Sequence, residues 1–424
     1  MTSPDVESQQ EIRMTTLTHT DADIDRPQAS QLLDQVLEMR PWLREHQAEA
    51  ERQRRVPQDS IERLDAAGVF SLTTPARFGG ADFTTRELRD TYRALGAGCG
   101  ATAWVVWAAA GGNLWSYAFP AEVIAPVYTS PWVGNRTFAL GGTSRRMSGT
   151  ARRVKGGWLI KGVWPFATGS VHASYGYVAA FYDETDDAKV GMALVSKDEL
   201  IARDDWDAMG LAATGSQTVA TDGELFVPEE RFSTPEQLAA RIGEMTEQGL
   251  GPRRGGLVRS LVSGTGVALG MADQAMEVYL AAVGKRSVPY SAYPNASEAP
   301  IIHHAVGRAQ MQIRAASTLS DAAAAALDRC ELEKQDLSDS EALQYHTDVA
   351  YIWDACSSAI ETLFRASGAS AIMKRQPLQL IARNCRAGSL HAAYNIDTWL
   401  ENLGRELCGA ESAAISTSVL ERRT

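Results

Sequence analysis

Cysteine is scarce: Cys99, Cys330, Cys356, Cys385 and Cys408 are the 5 in 424 residues, and no two stand in a CxxC spacing. An odd, scattered set excludes a disulfide framework and a thiolate zinc site, and it suits free thiols in a reducing cytoplasm. Basic charge is in deficit, with 41 Lys and Arg against 52 Asp and Glu for a net charge of -11. No basic run is long, so a general affinity for nucleic acid or an anionic membrane is not expected. Long apolar runs are missing too. The most apolar window, Ala101 to Ala110, is too short to cross a bilayer and reads as a buried helix. Residues 1–26 are polar and acidic without an apolar signal region, and read as a disordered tail. Also absent are a strand-GxGxxG-helix, a Walker loop, HExxH and GxSxG. The standard dinucleotide, phosphate, zinc and serine-hydrolase readings lose their support with them. His303 and His304 are adjacent and point apart on a helix, so no metal site is expected.

What is present divides into three parts. Residues 27–134 carry apolar positions at the helix period, with Pro57 opening one helix at its favoured first turn and a Trp- and Ala-rich interior helix at Thr102 to Leu114. Residues 135–246 alternate short β-type runs with Gly, Asp and Pro turns, which describes a small antiparallel barrel or sandwich. Residues 247–424 return to helix in four long stretches, Leu257 to Val283, Ala299 to Leu327, Asp339 to Ile372 and Leu378 to Leu407, as in an antiparallel four-helix bundle. The fold class is mostly α with a central β-domain.

The most informative stretch is Gly156 to Tyr175. Val154, Trp158, Ile160, Val163 and Phe166 space apolar residues along strand-like runs punctuated by Gly156-Gly157 and Gly162, the pattern of a twisted hairpin. Ala167-Thr168-Gly169-Ser170 then follows two large rings. Either this is a plain turn under core aromatics, or it lets backbone and hydroxyls approach a flat ligand covered by Trp164 or Phe166. A second small-residue turn, Thr214-Gly215-Ser216, follows Trp206 and Gly210 in the same β-unit. Far along the chain, His391 on a helix would share a face with Tyr394, Asn395 and Thr398, a polar stripe that needs partners or a ligand.

The order of these features, with GGWLIKGVWPFATGS, WDAMGLAATGS, FVPEERF and a helical C-terminal part, resembles the acyl-CoA dehydrogenase superfamily from about Arg26 to Gly409. In the dehydrogenases a glutamate base follows a paired-glycine loop; aligning Pro377 and Arg383 on that motif puts Arg375 at its position, and a guanidinium cannot abstract a proton. The match is better to the flavin-dependent monooxygenases of this fold. Trp164, Phe166, Thr168, Gly169, His172 and Ala173 fit their W-x-F-small-S/T-G and HA pattern, and His391, Asn395, Asp397, Thr398, Gly404 and Arg405 fit their late helix.

That resemblance implies the oxygenase component of a two-component system, using reduced flavin (FADH2 or FMNH2) and O2 through a C4a-hydroperoxide to hydroxylate an aromatic or polyketide-type ring or to N-oxidise an amine. It implies catalytic roles for His391 and Thr168. Trp164, Phe166, Ala167, Thr168, Gly169, Thr214, Gly215 and Ser216 would cover the flavin. Arg286, the turn Ser367-Gly368-Ala369-Ser370 and Arg375 would hold its phosphate part from a neighbouring subunit. His172, Trp107, Tyr394 and Asn395 would face the substrate. A separate NAD(P)H:flavin reductase, a homotetramer arranged as a dimer of dimers and a cytoplasmic setting complete the expectation. An acyl-CoA dehydrogenase with a displaced base and a catalytically silent flavin-fold binding protein are the alternatives.

Overall fold

The computed structural model describes residues 27–80, 82–129, 137–140, 149–183 and 189–411. The expected N-terminal tail and the expected boundary between residues 134 and 135 lie outside them. Five helices come first: α1 (Pro27–Gln53), α2 (Gln58–Ala66), α3 (Thr85–Gly96), α4 (Gly100–Gly112) and α5 (Ala121–Thr129). A capping box starts α3, Thr84 and Glu87 satisfying each other's backbone N–H groups, and Leu88, Tyr92 and Leu95 then bury one face. No charged residue interrupts α4, which is buried around most of its circumference, as its composition predicts.

The strands are β1 (Thr137–Leu140), β2 (Gly149–Val154), β3 (Gly157–Trp164), β4 (Tyr175–Phe181), β5 (Val190–Ser196), β6 (Ile201–Ala202), β7 (Val219–Ala220), β8 (Leu225–Pro228) and β9 (Phe232–Ser233). The expected hairpin is β2–β3, closed by a two-residue turn in which Gly156 takes φ 83°. The sheet as a whole is mixed rather than antiparallel throughout: β4 runs parallel to both β1 and β2 and antiparallel to β5. The chain between β3 and β4 is long enough for this, because it contains the whole Ala167–Ser174 turn; a tight hairpin there would have forced antiparallel pairing. Trp158, Ile160, Trp164, Val178, Val195, Val227 and Phe232 fill the sheet's core.

Six helices follow: α6 (Pro235–Glu247), α7 (Gly256–Val283), α8 (Pro300–Glu333), α9 (Asp339–Ala366), α10 (Pro377–Ser389) and α11 (Ile396–Leu407). The run expected as one helix from Leu378 to Leu407 is two. His391 Nδ1 accepts the Ala393 N–H at 3.2 Å and Asn395 Oδ1 accepts the Thr398 N–H at 3.1 Å. These local side-chain acceptors compete with helix continuation and start new turns. The N-terminal helices are clasped to the bundle where α3 meets α7: a Cβ on Gly266 would lie 2.1 Å from the Arg89 carbonyl oxygen, so only glycine permits the approach. Arg93 and Asp273 pair across the same seam at 2.7 Å.

Two buried histidines give this fold a pH dependence. His346 of α9 stacks on Trp399 of α11 with centroids 4.3 Å apart and planes at 4°, and burial holds its pKa near 4. His172 is held near 4 by burial and then by the Arg55 and Lys197 charges. Both folded-state values lie below the unfolded value of about 6.5. The neutral rings therefore stabilise the fold fully above that pH, and the contribution is lost as pH falls toward 4. Melting temperature is expected to be flat from pH 7 to 8 and to fall steadily below 6.5, each ring accounting for up to roughly 3 kcal/mol. Circular-dichroism melts of His346→Phe, which keeps a stacking ring without a titrating group, should show a shallower acid limb; an unchanged limb counts against this cause.

Candidate functional site

The first wall is the turn after β3. Trp164 is the last residue of that strand and is fully buried; its indole N–H donates to the Ala179 carbonyl at 2.8 Å. Gly149 and Gly162, paired across the hairpin, make the slot for its ring, since a Cβ on either would lie 2.5 Å from the indole. Trp164 is thus core, not the ligand cover expected of it. That position belongs to Phe166, which is 59% exposed and stands edge-on to Trp206 at 5.8 Å. Its φ of 62° is unusual for a bulky residue, a local strain of the kind concentrated at functional turns.

The two small-residue turns meet. Ala167 N–H donates to the Gln217 carbonyl at 3.0 Å and Gly169 N–H to the Thr214 carbonyl at 3.1 Å. Thr168 Oγ1 lies 2.8 Å from Ser216 Oγ, which lies 2.7 Å from Thr214 Oγ1. Gly215 has a φ of 55°. Ala167, Thr214 and Ser216 are buried, so only Thr168 of this set offers a partly open side chain. His172 does not join them on the open side. It is 1% exposed behind the turn, within reach of Val56, Arg55 and Lys197, so a direct contact with substrate is not what its position offers.

The second wall is built by α4, α9 and the segment between α10 and α11. His391 sits edge-on to Trp104 at 5.7 Å and to Trp107 at 6.1 Å, with Tyr394 at 5.2 Å. Tyr394 stacks on Trp353 at 4.9 Å. Trp107 is fixed by an N–H bond to the Ser260 carbonyl at 2.9 Å. His391 is an exposed residue, yet Trp104, Trp107 and Tyr394 crowd its ring and burial lowers the imidazole pKa to about 4. With Nδ1 accepting from Ala393, the neutral ring carries its proton on Nε2 and presents a donor. Burial raises the Tyr394 hydroxyl well above its ordinary range, and that hydroxyl has no partner among the described residues.

The expected polar stripe of His391, Tyr394, Asn395 and Thr398 is not a helix face, because the helix is broken there. Asn395 is exposed and its carboxamide oxygen is committed to capping α11.

The two walls are joined by contacts that the sequence did not signal. Asn384 of α10, 5% exposed, accepts the Leu211 N–H at 2.7 Å. Gly210 lies flat on the same helix, where a Cβ would be 2.1 Å from the Arg383 carbonyl oxygen. At the far end of α10, Gly388 packs against Trp353 and Trp104 just before His391. Gly210 is marked in the sequence by its small-residue turn; nothing local marks Asn384 or Trp353.

A third cluster lies at the end of α9. Arg286 donates to the Tyr279 hydroxyl at 2.9 Å and to the Ala366 carbonyl at 2.7 Å, immediately before the Ser367–Ser370 turn. Ser367 Oγ donates back to Leu363; Gly368, Ala369 and Ser370 are exposed, and Gly368 has a φ of 71°. Arg375 is exposed and makes no hydrogen bond or ion pair among the described residues. Among those residues no group of His, Cys, Asp and Glu could hold a metal ion, and no helix is long and apolar enough to cross a membrane.

Residues 30–119 match the N-terminal domain, and residues 263–396 the C-terminal domain, of acyl-CoA dehydrogenases, together more than half of the chain. The chain belongs to the acyl-CoA dehydrogenase family. Within that family its relatives are oxygenase components. The flavin-dependent monooxygenase oxygenase subunit HsaA of Rhodococcus jostii is 27% identical over 372 residues, 86% of this chain and 94% of that protein. The oxygenase component of an FADH2-dependent resorcinol hydroxylase from a Rhizobium species is 28% identical over 378 residues, 86% and 90% of the two chains. Among solved structures, XiaF from a Streptomyces species in complex with FADH2 and glycerol superposes with a TM-score of 0.83 at 27% identity, covering 92% of this chain and 97% of that one. The residues present fit a flavin: an exposed ring, Phe166, adjoins the partly open Thr168 hydroxyl, and a cation beside an open glycine turn stands ready for a phosphate.

Proposed function

We propose that this chain is the oxygenase component of a two-component flavin-dependent monooxygenase, taking FADH2 or FMNH2 with O2 and hydroxylating an aromatic substrate. The observation that carries the reading is that one helix, α10, ties the hydroxyl-bearing turn to a histidine set among three aromatic rings. Bound reduced flavin supplies activation of O2 and delivery of one oxygen atom. The chain supplies the rest. Phe166 and Thr168 hold the flavin ring edge; Trp104, Trp107 and Tyr394 are buried, so rather than facing substrate as the sequence leads one to expect of Trp107 and Tyr394, they pack behind His391 and exclude water from it. His391 donates a hydrogen bond from Nε2 to the oxygen being transferred or to the substrate heteroatom. Arg286, Ser367–Ser370 and Arg375 bind the phosphate of a flavin held mainly by a neighbouring protomer, which needs at least two subunits and is met by a homotetramer built as a dimer of dimers. No NAD(P)H motif is visible, so reducing equivalents come from a separate NAD(P)H:flavin reductase, which fits a cytoplasmic enzyme.

The test is reconstitution with a flavin reductase, NADH and 18O2 against a panel of phenols, resorcinols, fused aromatics and amines. One labelled oxygen atom per product is expected. If every reducing equivalent appears as hydrogen peroxide with both flavins across the panel, the reading fails. With Arg375 where a dehydrogenase base would stand, acyl thioesters are expected to leave enzyme-bound FAD unbleached.

A further inference from the structure

A cavity of about 300 Å³, at the small end of the range for ligand pockets, opens beside the β-sheet and shares no lining residue with the wall that carries His391. Ser170, Lys197, Asp198, Leu200, Ala202 and Val219 line it. Ser170 and Val219 are buried and form its floor, while Asp198 and Ala202 are exposed and form its rim. The floor has an unmet demand. Ser170 is 2% exposed, and its hydroxyl has no hydrogen-bond partner among the described residues. A hydroxyl shut away from water in this way costs stability until something completes it. Charge is unmet there too. Lys197 is half-buried; its ammonium donates to the Val171 carbonyl at 3.2 Å, and no carboxylate pairs with it among the described residues. Burial lowers its pKa first and the Arg55 charge lowers it further, with only the exposed Asp198 acting the other way. Other acids nearby are already engaged, Glu199 with Arg231 at 2.8 Å and Asp204 with Arg54 at 2.7 Å.

From this we infer that the cavity is a binding site for a carboxylate carried on a compact apolar body, a second ligand rather than the molecule oxidised. The two oxygens of a carboxylate match the two donors. One accepts from the Lys197 ammonium and the other from the Ser170 hydroxyl, while Arg55 adds its charge from outside. Leu200, Ala202 and Val219 then cover the hydrocarbon part. Inorganic phosphate fits less well, because its remaining oxygens would face those apolar side chains and its second charge would face Asp198. A neutral amide of the same shape keeps the packing but gives Lys197 no counter-charge. The inference stands apart from the flavin reading: it uses neither Phe166, Thr168 nor His391.

Calorimetric titration of the full chain, without flavin and at fixed ionic strength, tests this with benzoate, benzamide and inorganic phosphate as probes. Benzoate is expected to bind once per chain, and benzamide and phosphate about tenfold or more weaker. Lys197→Met keeps the side-chain length and removes the charge. It should weaken benzoate about tenfold, whereas Lys197→Arg should stay within about threefold of the parent. Ser170→Ala should cost about threefold, and Arg55→Gln, an exposed position with little bearing on folding, about twofold. His391→Ala should leave benzoate binding as it is. Absence of benzoate binding overturns the inference. So does benzamide binding as tightly as benzoate, or phosphate doing so, which would mean an adventitious ion only. Unchanged benzoate affinity in Lys197→Met and Ser170→Ala with normal melting overturns it as well. Loss of binding in His391→Ala would move the ligand to the other wall and overturn it too. If Lys197→Met melts early, an unchanged affinity in both Ser170→Ala and Arg55→Gln has the same force. None of these outcomes touches the flavin reading.

Discussion

His391→Ala is expected to cut product formed per reduced flavin by about two orders of magnitude while reduced flavin is still consumed, its equivalents appearing as hydrogen peroxide. The fold directs the imidazole's donor, because Ala393 N–H occupies Nδ1 and leaves the hydrogen on Nε2. Removing it deletes a donor that stands against three aromatic rings, where such a bond is worth more than in water. The nearby Tyr394 hydroxyl is buried and cannot substitute without moving the Trp353 stack. A donor role and a base role separate cleanly. His391→Asn retains N–H donors and no useful base, so it should recover part of the coupling if the histidine donates and none if it abstracts a proton. With the ring's pKa near 4, the group is neutral throughout the ordinary range. Coupling should therefore show no limb from His391 between pH 6 and 9, and should fall only as pH approaches 4 and Nε2-protonated neutral imidazole gives way to the cation. Product by chromatography and peroxide by a peroxidase assay, measured together across pH, decide the matter. A limb near pH 6.5 that vanishes in His391→Asn would establish the opposite role.

The second large effect belongs to a residue outside both walls. Gly210→Ala would place a methyl 2.1 Å from the Arg383 carbonyl oxygen and 2.5 Å from its carbon, both backbone atoms that cannot turn aside. Helix α10 must then retreat by about an ångström, lengthening the bond from Leu211 N–H to Asn384 and carrying Gly388 and His391 with it. A shift of that size at a catalytic group costs about a hundredfold in rate, and overpacking of this severity costs on the order of 3 kcal/mol in stability. Gly243→Ala is the matched control. It lies inside α6 with nothing near its Cβ position, so it should be neutral or stabilise by up to about 1 kcal/mol. Chemical denaturation and initial rates on the pair check the claim; a Gly210→Ala protein that melts and turns over like the parent removes α10 from the account.

Much of this was legible in the residues. The Gly156 turn, the two small-residue turns and the sequence of helical, β and helical parts are local features, and local chemistry determines them. Trp164 and Phe166 show where such reading stops. Two residues apart in a strand, they should share a face; the strand ends at Trp164, and the positive φ at Phe166 turns its ring out while Trp164 stays in. His391 misled in another way. Its offsets from Tyr394, Asn395 and Thr398 match a helix face, yet Asn395 is an N-cap residue in front of Ile396, and capping overruled the period. Asn384 and Trp353 carry no local mark, since their value lies in what distant segments bring to them.

Distance along the chain has a cost during synthesis. Leu211 and Asn384 stand 173 residues apart, so at 5–20 residues per second the ribosome needs roughly 9–35 s between making the flavin turn and making the helix that clamps it. Through that interval Gly210 and Leu211, buried in the finished fold, lack the helix that covers them, and the Leu211 N–H lacks its Asn384 acceptor. A polypeptide released early would hold the turn proposed to receive flavin without the histidine proposed to direct oxygen, and quality control has reason to remove it.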